Sequence, residues 1–186
     1  MPSTAETLAR TGGKALSHVL FSEEQIAARV RELGEEITRD IPEGEDILVL
    51  GLLKGSFIFL SDLVREIRRP IEVDFLIVSS YGAGTESSGE VKLLYARQAS
   101  IEGKHVILVE DIVDSGTTLN RLIPILEQRG PKSLEICALL HKHIAKEMVK
   151  EARWVGFDCP QEFVIGYGLD HSEKYRHLPF VGVIEP

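Results

Sequence analysis

Four short apolar runs, DILVLGLL (46–53), IEVDFLIVSS (71–80), HVILVE (105–110) and SLEICALLHK (133–142), recur along the chain. Near-continuous runs of this length are what strands look like when both faces are covered, because a half-exposed strand alternates instead. Segments of helical period lie between them: SFIFLSDLVREI (56–67) follows the first run, and a stretch from about Gly116 to Arg129, closed by Gly130 and Pro131, follows the third. Alternation of strand and helix predicts an α/β fold, a mainly parallel twisted sheet flanked by helices. Upstream, Ser22 and Gln25 make a capping box, and Ile26, Val30, Leu33 and Ile37 recur at helical spacing until Pro42, so a further amphipathic helix is expected there. VKLLYARQA (91–99) alternates and reads as another strand.

The ends differ from the middle. Residues 1–15 are small and polar without periodicity and are expected to be a mobile leader, leaving 16–186 as a single domain. After Arg153 the apolar pieces RWVGF, EFVIGYGLD and FVGVI are short and separated by turns. Residues 153–186 are therefore expected to build most of a small hood on the main sheet. A chain of 186 residues that is 44% hydrophobic suits one core.

Charge and composition exclude several classes of function. The net charge is −8, without the basic face that a nucleic-acid binder needs. The longest apolar run, ILVLGLL (47–53), is far short of the roughly 20 residues that span a bilayer, and the N-terminus lacks a signal pattern, so a cytoplasmic protein with small-molecule partners and no membrane contact is expected. Cys137 and Cys159 have no metal or disulfide spacing and read as buried small hydrophobes. His141 and His143 would share a strand face, but no third ligand has a recognisable spacing.

One stretch carries chemistry. VILVEDIVDSGTTL (106–119) ends a buried strand with Glu110, Asp111 and Asp114, then gives Ser115, Gly116, Thr117 and Thr118 where the next helix starts. In open parallel sheets ligands bind outside the carboxyl ends of the strands. Free N–H groups at a helix start, its positive dipole end and three hydroxyls suit a phosphate. Capping alone would explain Ser, Thr and one acid. It does not explain adjacent Glu110 and Asp111 at a buried strand end, which would repel each other unless a diol, cation or donor accepted them. Adjacent acids suit the neighbouring hydroxyls of a ribose, so ribose with a 5'-phosphate is the implied ligand.

Two acids, two apolar residues, Asp and then Ser-Gly-Thr-Thr after an apolar strand resembles the phosphoribosyl pyrophosphate (PRPP) signature of type I phosphoribosyltransferases. LLKGS (52–56), SSYG (79–82), LLHK (139–142) and EFVIGYGLD (162–170), in that order, resemble the hypoxanthine-guanine phosphoribosyltransferases from about residue 20 to the end. The resemblance implies transfer of the phosphoribosyl group to hypoxanthine or guanine, giving IMP or GMP and pyrophosphate, with Mg2+ as cofactor and a homodimer or homotetramer as the assembly. It implies that Glu110, Asp111, Asp114, Ser115, Gly116, Thr117 and Thr118 hold the ribose and 5'-phosphate, and that Asp114 serves the purine N7 as general base or by stabilising developing charge. Lys54, after a cis peptide, with Gly55 and Arg176 would grip pyrophosphate. Lys142 would donate to the purine 6-oxo group, Phe163 would stack on the ring, the Val164 backbone would read its edge, and Asp170 would lie at the base and the metal. Glu110 and Asp111 are further candidates for the metal. Ser80 and Tyr81 would belong to a loop that closes over the reactants. Two positions depart from or fit the pattern loosely: Thr117 stands where the family varies, and His171 where tyrosine is common.

Three other readings are weighed against this one. A nucleotide-sensing regulator of the same fold needs a basic face and not the base-reading Lys142 and Phe163. A transferase acting on another base would not need Lys142. A P-loop hydrolase fails on order, since Gly55 follows Lys54.

Overall fold

The computed structural model describes residues 4–80, 91–95, 100–145 and 147–184. In chain order the elements are α1 (Thr4–Arg10), β1 (His18–Phe21), α2 (Glu23–Asp40), β2 (Ile47–Leu53), α3 (Phe57–Glu66), β3 (Glu72–Ser80), β4 (Val91–Tyr95), β5 (His105–Val113), α4 (Thr117–Glu127), β6 (Ser133–His141), β7 (Trp154–Asp158), β8 (Val164–Ile165) and β9 (Val181–Val183). The main sheet runs β4-β3-β2-β5-β6-β7. Its pairs are parallel except β3 with β4, which is antiparallel and forms one edge.

Three of the four apolar runs behave as two-faced strands; β3 differs, because Leu76 packs inward while Val73, Phe75 and Ile77 lie exposed on its other face. In β2, Ile47 and Val49 join the core under α2 and α3, while Leu48, Leu50 and Leu52 join the core on the α4 side. In β5, Ile107 and Val109 take the first side and Val106 and Leu108 the second. The α2 capping box forms as expected, with Ser22 Oγ accepting from the Gln25 N–H and Gln25 accepting from the Ser22 N–H. Its buried stripe is Ile26, Val30, Leu33 and Ile37, the positions its period predicts. Cys137 and Cys159 are free and buried, and burial pushes both thiols up. No helix among the described residues is long and apolar enough to cross a membrane.

The ends differ from the sequence expectation. Thr4–Arg10 is helical, with Arg10 paired to Glu6 one turn away; seven residues are too few for a period to show in the sequence. RWVGF, expected in the hood, supplies β7 and closes the main sheet beside β6. Arg29 of α2 donates to the Val155 and Gly156 carbonyls and Trp154 Nε1 to Asp40, so long-range donors satisfy that edge. The second sheet is β1-β9-β8, which draws on His18–Phe21 from the far end of the chain. Ile165, Leu178, Phe180 and Ile184 form its own small core.

Candidate active site at the carboxyl ends of the strands

The carboxyl ends of β2, β3 and β5 and the start of α4 enclose a cleft of ≈ 260 Å³. Leu52, Leu53, Lys54 and Gly55 line one wall, Val78 contributes from β3, and the run from Glu110 to Leu119 makes the other wall. Ten consecutive residues of the chemically loaded stretch therefore face one space.

The two adjacent acids sit inside the strand and not beyond it. β5 stays paired to β6 through Ile112 with Leu140 and Val113 with His141, so Glu110 and Asp111 are strand residues that project to opposite faces. A carboxylate at a buried position reads in sequence as a strand end, which explains the earlier boundary expected at Glu110. Glu110 is 7% exposed, and burial pushes its carboxyl well above the ordinary value, with the Asp111 charge adding. Asp111 is also raised by burial, although its Oδ1 accepts the Ile112 N–H at 2.9 Å and Arg176 acts the other way. A cation or hydrogen-bond donor entering the cleft would relieve both.

Glu110 makes a pH prediction. A carboxyl whose native pKa lies above its unfolded value adds stability below the unfolded value and loses it as pH rises through the native one. Glu110→Gln removes that loss. Its melting temperature without ligand should exceed that of the parent by about 3 °C at pH 8, since ~1 kcal/mol shifts a domain of this size by roughly 2–4 °C. The gap should shrink toward pH 4.5; a lower melting temperature for the variant at pH 8 would contradict the assignment.

The start of α4 is built for an anion. Gly116 is its N-cap at φ 73°, and no side chain caps the first turn, so its N–H groups face the cleft. Ser115 Oγ and Thr117 Oγ1 lie 3.1 Å apart at the same place. The loop after β6 packs over this turn: a side chain on Gly116 would collide with Met148 Sδ, and Asn120 fastens the loop by donating to the Glu147 carbonyl and accepting from the Val149 N–H. Neither Asn120 nor Met148 could be found by motif, because their role depends on a loop 27 to 29 residues away.

Across the cleft, the Leu53–Lys54 peptide is cis and Gly55 lies against Asp111 so closely that a methyl there would overlap the carboxylate. Lys54 Nζ meets Glu173 Oε2 at 3.0 Å, and Arg176 Nη2 reaches Asp170 Oδ1 at 2.9 Å and the same Glu173 oxygen at 3.4 Å. The two predicted anion-gripping cations thus converge on one exposed carboxylate, a partner the sequence did not flag. The Glu173 N–H donates to Asp170 Oδ2 at 2.8 Å, fixing the turn.

Lys142 follows β6, is mostly buried and donates to Asp114 Oδ2 at 3.4 Å, so the candidate base-reading lysine and candidate general base are neighbours. Phe163 is 42% exposed, more than a core role would allow, and its ring meets His171 edge-on at 5.3 Å. Val164 is buried in β8. The His141 and His143 rings lie 3.9 Å apart, and His143 Nε2 bonds Asp158 at 2.5 Å. Among the described residues no cluster of His, Cys, Asp or Glu could by itself hold a metal ion. Ser80 ends β3, and Tyr81 lies outside the described residues.

Known proteins resemble this chain over most of its length. The family described as Phosphoribosyl transferase domain matches residues 19–172. The hypoxanthine phosphoribosyltransferase of Salmonella typhimurium is 47% identical over 167 residues, covering 89% of this chain and 94% of its own. A bifunctional TilS/HprT protein of Listeria innocua is 46% identical over 171 residues, covering 92% of this chain, which spans only 26% of that relative. A crystal structure of a hypoxanthine phosphoribosyltransferase from Staphylococcus aureus superposes with a TM-score of 0.86 at 44% identity, covering 92% of each chain.

Proposed function

The chain belongs to the phosphoribosyltransferase family, and from that premise we propose that it transfers the 5-phosphoribosyl group of PRPP to hypoxanthine or guanine, forming IMP or GMP and releasing pyrophosphate. The observation that carries this reading is the single cleft where the α4 N-terminus, the β5 acids and the Lys54–Gly55 loop meet, with Lys142 against Asp114. A bond breaks at C1 of the ribose and another forms to a ring nitrogen, so the protein must hold two reactants in line and stabilise a departing anion.

In this reading Ser115, Gly116, Thr117 and Thr118 bind the 5'-phosphate through backbone N–H groups and hydroxyls, and Glu110 and Asp111 accept from the ribose hydroxyls. Lys54, Gly55 and Arg176 take the pyrophosphate, which replaces Glu173 as the partner of both cations. Asp114 receives the purine proton near N7. Lys142 donates to the 6-oxo oxygen while Phe163, Val164 and Asp170 frame the base, and Ser80 and Tyr81 belong to the closing loop. Mg2+ fits this donor set: it prefers oxygen ligands and is commonly held by one or two carboxylates together with substrate phosphates, not by a cage made only of protein. Asp170, Asp111 and Glu110 are the carboxylates that would hold it, and Asp111, raised by burial and further by the charge of Asp170, gains from a nearby cation. The ion would supply positive charge to the leaving pyrophosphate. A homodimer or homotetramer belongs to the same proposal, and the exposed stripe Val73, Phe75 and Ile77 on β3 gives it an apolar surface.

The test is to incubate the protein with PRPP, Mg2+ and each of hypoxanthine, guanine, xanthine and adenine and to follow nucleotide formation. Hypoxanthine and guanine should react. Adenine should not, because its 6-amino group leaves the mostly buried Lys142 facing another donor. No product with any purine would refute the reading, and turnover of adenine alone would refute the role of Lys142.

A further inference from the structure

We propose that Tyr167 is a positioning residue: its hydrogen bond to Asp62 seats the hood turn that carries Asp170 and Arg176 against the Lys54–Gly55 loop, and so sets affinity for the pyrophosphate end of the substrate. The inference rests on the reading of that loop as the pyrophosphate grip.

The backbone shows that something must hold this turn. Gly166, Tyr167 and Gly168 have φ of 96°, 47° and 102°, a left-handed run that an aromatic residue does not choose for itself. The Tyr167 hydroxyl donates to Asp62 Oδ2 at 2.6 Å. Asp62 lies on α3, which starts two residues after Gly55, so the bond links the hood turn to the helix that anchors the pyrophosphate loop. Burial and the Asp62 carboxylate both push the hydroxyl above its ordinary value, so it remains a donor at any physiological pH. The other Asp62 oxygen pairs with Arg65.

From Tyr167 the coupling is short. The Gly168 N–H donates to the Arg176 carbonyl at 2.9 Å, and Arg176 Nη1 donates to the Gly168 carbonyl at 2.8 Å. On its other side Gly168 is pressed against the Gly55 carbonyl, with no room for a side chain. A shift of Tyr167 therefore moves Arg176 and the Gly55 contact together. The bland alternative is that Tyr167, 7% exposed, is simply a core aromatic. Packing does not enclose the ring on every side, however, because a pocket of ≈ 310 Å³ opens beside it, lined also by Ile26, Ile58, Asp62, His177 and Leu178.

Tyr167→Phe keeps the ring and removes only the hydroxyl. KM for PRPP in turnover and Kd for magnesium pyrophosphate in calorimetry should each rise about tenfold, with kcat within about threefold and KM for hypoxanthine unchanged. Asp62→Asn still offers an acceptor oxygen and should stay near the parent, while Asp62→Ala should match Tyr167→Phe. The double variant Tyr167→Phe/Asp62→Ala should be no worse than either single change. Unaltered pyrophosphate affinity in Tyr167→Phe, additive losses in the double variant, or Asp62→Asn behaving as Asp62→Ala would each overturn the proposal. Calorimetry needs no turnover, so a chain inactive on every purine would fail the functional reading without deciding this one.

Discussion

Asp114→Asn lowers kcat by about 10²- to 10⁴-fold while KM for PRPP stays within about threefold, the split expected when a proton acceptor is lost and binding is kept. The substitution is nearly isosteric. Asn retains an oxygen for Lys142 Nζ, 3.4 Å away, and a polar group ahead of α4. Stability should hardly change, since the Asp114 side chain is 47% exposed and an ion pair open to solvent contributes only about 0–1 kcal/mol. Three neighbouring acids could be confused in such an experiment, but only Asp114 lies beside the lysine assigned to the purine. Steady-state kinetics with PRPP as the variable substrate at saturating hypoxanthine checks this. A loss shared equally between kcat and PRPP affinity would assign Asp114 to the ribose phosphate instead.

Gly55→Ala is the second large effect: kcat/KM for PRPP falls by about a hundredfold, the scale on which a misplacement near 1 Å acts. The new methyl would occupy the place of the Asp111 carboxylate. For Asp111 to swing aside it would have to leave its half-buried place in β5 and give up the Ile112 N–H that its Oδ1 accepts. The alternative is for the Lys54–Gly55 segment to retreat, and that carries Lys54 away from Glu173 and the mouth of the cleft. Either movement harms ligand binding while leaving the two main cores untouched, so circular dichroism and melting temperature should remain close to the parent. A variant within threefold of parental activity would show that the Gly55–Asp111 contact is dispensable.

Residues that speak through local pattern were legible before any coordinates. The runs that became β2, β5 and β6 are apolar because both of their faces are covered, whereas β3 reads the same in sequence yet leaves Val73, Phe75 and Ile77 exposed on one face, and α2 announces its start by its capping box and its inner face by its period. The phosphate turn was legible too, since small hydroxyl residues after a strand have few other uses. Features made by long-range pairing were not. β7 looks like any short tail fragment until Arg29 and Trp154 tie it to α2, and β1 joins the hood only through β9, far along the chain. The true length of β5 was hidden because Glu110 and Asp111 are charged where a strand should be apolar, and a functional site is where such a local rule breaks. Glu173 and the Tyr167–Asp62 bond have no signature in sequence, and they matter because the fold brings a turn from the tail onto the first loop of the sheet.

The contact between Gly55 and Gly168 has a consequence for redesign. Hood and sheet meet there main chain to main chain, with no side chain to trim or enlarge. A cleft reshaped for a bulkier leaving group or a larger base could not be opened by point substitution at this seam, because every available residue adds bulk where none fits. Such a change would have to alter the number of residues in one of the two turns, so the pitch of the hood can change only in steps of whole residues, and insertion or deletion libraries at these turns, not saturation mutagenesis, are the place to look for it.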